Sequence, residues 1–143
     1  MKHKTLILSL MASCLLGFQP SSHAEAVDKY WGTLKESHFP NKKLEESGDI
    51  KIKAPARAES GAQVPFEFSV QYPHTKDQYI KTVTVIADAN PVPLVAVYHF
   101  TPDSGKAEIN TRIRLETDSF VHVVAETNDG RFLMNKVPIR AAG

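Results

Sequence analysis

The sequence predicts an all-β domain, an antiparallel β-sandwich of about seven strands with a short helix in front of it. From residue 49 onward, apolar residues recur with a period of two, which is the spacing of strands that bury one face. Turn-forming residues interrupt these runs about every 8–12 residues, as is typical of sandwiches. The length of 143 residues suits one domain with an ordinary hydrophobic core.

Residues 1–24 have the features of a secretory signal peptide. Lys2 and Lys4 give a positive start, residues 5–18 are almost unbroken in their apolar character, and Ser22-His23-Ala24 is a small-x-small cleavage site. The apolar run is too short for a membrane span, which needs about 20 residues. We therefore expect cleavage after Ala24, export to a bacterial envelope or extracellular setting, and no membrane span. A lipoprotein anchored at Cys14 is the alternative.

Cys14 is the only cysteine of the chain, and it lies inside this signal. The mature chain would then have no disulfide, no thiol nucleophile and no thiolate ligand for a metal. Loss of Lys2 and Lys4 leaves 15 basic residues against 16 acidic ones, a net charge of −1. This balance argues against a nucleic acid as the partner, because nucleic acids favour a concentrated basic face.

The mature chain divides into residues 25–48, a helix with a polar link, and residues 49–143, the sandwich. Four apolar or aromatic residues of the first part follow helical spacing: Val27, Tyr30, Trp31 and Leu34. We interpret Tyr30 and Trp31 as a cover for one edge of the core. An amphipathic segment that meets a partner is the alternative. In the link, Glu45 and Glu46 are expected to be solvated.

Alternating or β-branched runs predict the seven strands in order. They are residues 50–53, 64–72, 79–87, 94–101, 107–116, 120–127 and 132–139. Asp129-Gly130, between the last two runs, is the strongest hairpin signal, since glycine reaches positive φ without steric cost. The number of strands favours an immunoglobulin-like architecture, although the cysteine and tryptophan pattern of antibody domains is absent.

Four histidines remain after the signal: His38, His74, His99 and His122. None has a metal-ligand spacing with another histidine or with a cysteine. We interpret His99 and His122 as surface-facing or hydrogen-bonded strand residues. Asp118, Ser119 and His122 include the residue types of a hydrolytic triad, but no nucleophile-elbow glycines surround Ser119.

Arg112 and Arg114 lie two residues apart and are expected to share one face of a strand. They keep an edge soluble or, alternatively, hold an anion or a partner's carboxylates. We assign no catalytic, cofactor-binding or metal-binding residue, and we predict an interaction domain rather than an enzyme. A small-molecule or metal-binding accessory domain that uses His99, His122 or the two arginines remains a rival.

Several segments beyond residue 49 have a recognisable order and spacing, of which Asn90-Pro91-Val92-Pro93 and Arg112-Ile113-Arg114 are the more specific. The matching segments are residues 52–55, 58–65, 88–96, 111–114 and 124–130. In them the chain resembles SoxY, the sulfur-carrier subunit of the periplasmic Sox thiosulfate-oxidation system. The resemblance implies an immunoglobulin-like sandwich that pairs with a second sandwich, SoxZ, and is not itself a catalyst.

The resemblance also implies a carrier cysteine in a flexible Gly-Gly-Cys-Gly-Gly arm after the last strand, since sulfur must be bonded covalently and then released. Here the last predicted strand is followed by Arg140-Ala141-Ala142-Gly143, and no residue matches that cysteine. We expect a natural SoxY-like chain without the arm. The alternatives are a true carrier whose last residues are missing from the sequence, and an accessory protein of a periplasmic quinoprotein dehydrogenase.

The expected function is therefore an exported, SoxY-like interaction domain of a sulfur-oxidation system. It is expected to pair with a SoxZ-like subunit and to be unable to carry sulfur itself. We expect no cofactor, and no small-molecule or nucleic-acid ligand is indicated.

Overall fold

The computed structural model describes the backbone of residues 22–141 and the side chains of residues 30–141. The predicted signal peptide therefore lies outside the described residues, apart from the backbone of residues 22–24. The described elements are α1 (Ser22–His38), β1 (Leu44–Glu46), β2 (Ile50–Lys53), β3 (Arg57–Ala58), β4 (Val64–Val70), β5 (Ile80–Ala87), β6 (Leu94–His99), a short 3₁₀ helix (Pro102–Ser104), β7 (Glu108–Ile113), β8 (Ser119–Thr127) and β9 (Phe132–Ala141).

The strands form two sheets, and the predicted all-β, immunoglobulin-like sandwich is confirmed. The larger sheet has the order β1-β9-β8-β5-β6, with β3 also pairing with β9, and the smaller sheet has the order β2-β4-β7. β8 is antiparallel to both β5 and β9, whereas β1 and β3 run parallel to β9. β9 is thus paired along both of its edges.

The core lies between the two sheets and is built from alternate residues of each strand. β4 shows the pattern most clearly, because Val64, Phe66, Phe68 and Val70 are buried while Pro65 is exposed. Burying a side chain of this size stabilises the fold by about 1.5–3 kcal/mol. The period of two in the sequence therefore corresponds to a real inner face.

Two strands were not expected from the sequence. β1 lies in the segment predicted as a polar link, where Glu45 Oε2 accepts a hydrogen bond from Arg131 Nε at 3.1 Å. β3 has only two residues, and its Ala58 is buried in the core. β7 is shorter than predicted and ends at Ile113, so Arg114 follows the strand instead of belonging to it.

The outer face of the large sheet carries a second apolar cluster, which the C-terminal half of α1 helps to cover. Trp31 and Leu34 of α1 pack against buried residues of this cluster, which are Phe39, Ile86, Val124, Phe132 and Met134. Trp31 has the covering role that the sequence suggests, whereas the Tyr30 side chain is 54% exposed. In the described part of the chain, no helix has the length and apolar character needed to cross a membrane.

Candidate functional site

A buried histidine–aspartate pair lies beneath α1 on the outer face of the large sheet. His122 is in the middle of β8, and Asp88 directly follows β5, the neighbouring strand. Their Nδ1 and Oδ1 atoms are 2.8 Å apart, and the two side chains are 1% and 0% exposed. A hydrogen bond to a carboxylate in such surroundings fixes the orientation of the imidazole.

Trp31 closes the site from above. Its ring stacks on the imidazole of His122, with the centroids 3.6 Å apart and the planes 5° from parallel. Phe120, two residues earlier on the same face of β8, approaches His122 in a tilted arrangement with the centroids 6.5 Å apart. The pair is therefore enclosed by aromatic rings, which lowers the local polarity and strengthens its hydrogen bond.

Two polar atoms of the pair have no hydrogen-bond partner among the described residues: His122 Nε2 and Asp88 Oδ2. A buried polar atom without a partner costs about 1–3 kcal/mol of folding free energy, so these two atoms lower the stability of the fold. The described residues contain no group of three or more His, Cys, Asp or Glu side chains placed to hold a metal ion. The geometry orients one imidazole and attaches α1, and no hydroxyl or thiol of the described residues is hydrogen-bonded to the histidine.

The three residues that suggested a triad each have a different partner. Ser119 Oγ donates to the carbonyl oxygen of Phe120 at 2.7 Å and accepts from the Ala89 N–H at 3.0 Å. Asp118 Oδ1 accepts a hydrogen bond from the Ala141 N–H at 2.9 Å. The acid that contacts His122 is Asp88, so these side chains hold backbone segments together.

The two arginines differ in their contacts. Arg114 Nε forms an ion pair with Glu116, and the hydrogen bond to this carboxylate raises the pKa of the guanidinium further above its already high value. Arg112 is exposed on β7. The two guanidinium groups therefore have different surroundings, and Arg114 is already engaged by an acid of its own chain.

The Asn-Pro-x-Pro segment has a structural role beside Arg114. Asn90 Nδ2 donates to the carbonyl oxygen of Arg114 at 2.8 Å, and Asn90 Oδ1 accepts from the Glu116 N–H at 3.0 Å. One amide side chain thus ties the loop after β5 to the connection between β7 and β8. The two segments that were most specific in the sequence meet at one end of the sandwich.

The other histidines lie apart from the buried pair. His74 Nε2 is 2.7 Å from the carbonyl oxygen of Thr101, and His99 is exposed on β6, opposite Thr82. His38, in the last turn of α1, lines an open groove. His99 is surface-facing and His122 is hydrogen-bonded, the two situations that the sequence suggested, although the complete burial of His122 was not foreseen.

Sequence reasoning missed the two partners of His122. Asp88 was noted only as part of a matching segment, and Trp31 only as a cover for the core edge. One signal was available, because His122 is the only polar residue between Val121 and Ala125. A histidine among apolar neighbours is expected to be buried, and a buried imidazole needs a partner.

Comparisons with known proteins agree with this fold. The sequence family described as "Sulfur oxidation protein SoxY" matches residues 35–143. The solved structure of the sulfur carrier protein SoxY from Chlorobium limicola f thiosulfatophilum is 24% identical with a TM-score of 0.67, over 82% of this chain and 96% of that chain. No curated protein gives a significant match.

Superoxide reductases form a second group of similar structures. The enzyme from Ignicoccus hospitalis (neelaredoxin) is 14% identical with a TM-score of 0.58, over 65% of this chain and 80% of that chain. A variant of the neelaredoxin from Archaeoglobus fulgidus, in the reduced form, is 14% identical with a TM-score of 0.52, over 65% of this chain and 88% of that chain. At such identities the likeness shows a shared sandwich and nothing about chemistry.

Proposed function

Because the chain belongs to the SoxY family of sulfur oxidation proteins, we propose that it is an exported docking subunit of a Sox-type system and has no catalytic activity of its own. It pairs in the periplasm with a second β-sandwich of the SoxZ kind. Residues 25–143 take part in sulfur oxidation through this contact and do not carry a sulfur intermediate themselves.

One observation carries the proposal: both sheets of the family sandwich are formed, yet its described residues contain no thiol. The core and the two sheets lie within residues 44–141, and the single cysteine of the sequence is Cys14. Carriage of sulfur requires a thiolate that forms a covalent bond and later releases it. The sandwich therefore offers a surface to a partner and no side chain for the cargo.

The surroundings of the buried pair also support a docking role. His122 and Asp88 are enclosed beneath Trp31, so a substrate in solution has no access to them. Ser119 is hydrogen-bonded to backbone atoms on both sides. Export is supported by the charge and apolar pattern of residues 1–24, which would bring the domain to the compartment where Sox systems work.

The proposal is tested with the full chain, expressed with its own signal and with a SoxZ-like subunit. We expect the two proteins to co-elute from the periplasmic fraction in equal amounts. After incubation with thiosulfate and the other Sox enzymes, the intact mass of this chain should be unchanged. A sulfur adduct on residues 25–143, or a natural polypeptide that continues past Gly143 to a cysteine, would refute the non-carrier role.

A matched variant makes a negative result informative. Gly-Gly-Cys-Gly-Gly is appended after Gly143, and the same reaction is followed by mass spectrometry. If the sandwich is a competent docking subunit, this variant should gain a sulfur adduct that the unmodified chain lacks. The sulfur carrier protein SoxY from Chlorobium limicola f thiosulfatophilum is the positive control for the reconstituted reaction.

A further inference from the structure

One sheet edge of this sandwich differs from the others in its side chains. The strands at sheet edges are β1, β2, β3, β6 and β7. β1 carries two glutamates, β2 two lysines, β3 one arginine, and β7 a glutamate and an arginine. β6, with the sequence Leu-Val-Ala-Val-Tyr-His, has no Lys, Arg, Asp or Glu and no proline. Charges and prolines are common means of protecting an edge from pairing, and β6 lacks them; a register shift between Val85 and Ile86 interrupts its ladder with β5 near Leu94 only.

The backbone of β6 is unpaired along its outer side. The strand forms a ladder with β5 only, and no other hydrogen bond of the described residues involves residues 94–99. The Phe100 N–H donates to the carbonyl oxygen of Lys81 at 2.9 Å, and bonded pairs alternate along an antiparallel ladder. This alternation turns the N–H and C=O groups of Val97 and His99 away from β5. They are free to pair with a further strand.

The side chains next to this edge are apolar and exposed. The exposed large apolar residues of the described chain are Tyr30, Val92, Leu94 and Val97, and three of these four belong to β6 or to the turn before it. Val92 is 75% exposed, Val97 43% and Leu94 39%. Concentration of apolar area along one unprotected edge marks an interaction site.

A groove continues from this edge across the outer face of the large sheet. It has a volume of about 380 Å³ and runs from Val97 to the end of α1. Its lining is mixed: Phe39, Val124 and Phe132 are apolar, whereas Lys42 and Glu126 are charged. In a strand added beside β6, alternate side chains would point toward this face, so the groove gives them a place to bind.

We propose that β6 is the edge through which this chain binds its partner, by addition of a partner strand to the large sheet. The inference rests on the proposed function, which supplies a second β-sandwich as the occupant. The properties of β6 supply the chemistry of the contact: the partner offers an extended edge strand whose side chains facing Val97 and Leu94 are uncharged. Val97 and Leu94 offer no polar side-chain atom to a charged group, so removing such a group from water beside them would cost free energy.

Two substitutions at Val97 test the backbone pairing and the apolar packing of the proposed contact. Val97→Pro removes an N–H that faces away from β5, so it blocks strand addition while the ladder to β5 keeps its hydrogen bonds. Val97→Lys places a charge on the apolar face. We expect each variant to weaken binding of the SoxZ-like subunit about tenfold or more in titration calorimetry. Asn110→Lys, on the exposed face of β7, is the matched control and should change the affinity less than about twofold.

Amide hydrogen exchange gives a readout that does not depend on the variants. In the complex of the unmodified full chain, the amides of Val97 and His99 should exchange at least about tenfold more slowly than in the free chain. Circular dichroism and the thermal midpoint confirm that each variant is folded before its affinity is compared.

The outcomes separate this inference from the proposed function. In one outcome the unmodified chain binds the SoxZ-like subunit, the Val97 variants bind it equally well and the β6 amides stay unprotected. The assignment of β6 as the docking edge is then wrong, whereas the proposed docking role is unaffected. If the unmodified chain binds no such subunit, both are overturned. If β6 instead pairs with a second copy, seen as a homodimer that Val97→Pro dissociates, the assignment to a different subunit is overturned.

Discussion

Trp31 of α1 and His122 of β8 are stacked with their rings 5° from parallel and 3.6 Å apart between centroids. The attachment of the helix to the sandwich thus passes through an imidazole that Asp88 orients from the neighbouring strand. Because Trp31 is the only tryptophan of the chain, this one contact reports on helix docking and can be followed by fluorescence.

Truncation of Trp31 is expected to loosen α1. Trp31→Ala removes the stacking partner of His122 and exposes the outer cluster, and because Trp31 is only partly buried we expect a loss of about 2 kcal/mol in unfolding free energy, below the range for fully buried tryptophans. Tyr30→Ala, one residue away and largely exposed, should change the stability by less than about 0.5 kcal/mol. Urea unfolding followed by circular dichroism measures both. Equal losses for the two variants would contradict the role given to Trp31.

The buried pair is expected to show strong coupling. Asp88→Ala leaves His122 Nδ1 without its partner, and we expect a loss of about 1.5–3 kcal/mol in unfolding free energy. In the His122→Phe background, the same change should cost at least about 1 kcal/mol less, because no imidazole is left unpaired. A double-mutant cycle of urea midpoints and slopes measures this coupling. Additive losses would mean that the 2.8 Å contact contributes no interaction energy of its own.

Gly61 is expected to tolerate no side chain. A Cβ atom at this position would collide with the backbone oxygen of Leu115, whose N–H donates to the Gly61 carbonyl oxygen at 2.8 Å. We expect Gly61→Ala to lower the unfolding free energy by about 1–3 kcal/mol. Gly48→Ala is the matched control, since a Cβ there meets nothing within 4 Å. Thermal unfolding of the two variants distinguishes a steric effect from a general loss of glycine.

Asn90 is expected to hold one end of the sandwich together. Asn90→Ala removes the hydrogen bonds to the Arg114 carbonyl oxygen and to the Glu116 N–H, and we expect it to lower the unfolding free energy by about 1–2 kcal/mol. Asn90→Asp keeps an acceptor for the Glu116 N–H but has no donor for the Arg114 carbonyl oxygen. Its loss of unfolding free energy should therefore be smaller than that of Asn90→Ala. Amide exchange at Glu116 should accelerate in the alanine variant only. Unchanged exchange there would show that Asn90 does not connect the two segments.

The main strands could be predicted because each is long enough to show its own period. In β4, four buried and three less buried residues alternate, and this alternation is visible in the letters of the sequence. β1 and β3 have three and two residues, too few for any period. They exist because β9 offers them a free edge, and a sequence pattern does not show an edge supplied from another part of the chain.

The candidate site was predictable only in part, for the same reason. His122 could be recognised as unusual from its apolar neighbours, but Asp88 is 34 residues away and Trp31 lies in a different element. Arg112 and Arg114 were predicted to lie on one strand, but β7 ends between them and Glu116 pairs with the second arginine. The partners of His122 and the strand end beside the arginines both depend on the folded structure and not on a local sequence pattern.

The position of β9 has a consequence for synthesis of the protein. Leu44 pairs with Phe132 and Arg57 with Arg140, so among the described strands two early segments have β9 as their one ladder partner. Until that strand leaves the ribosome, a nascent chain cannot close the large sheet, and pairings this distant in sequence form slowly. The polypeptide is therefore expected to stay open, and within reach of chaperones, until β9 has been translated.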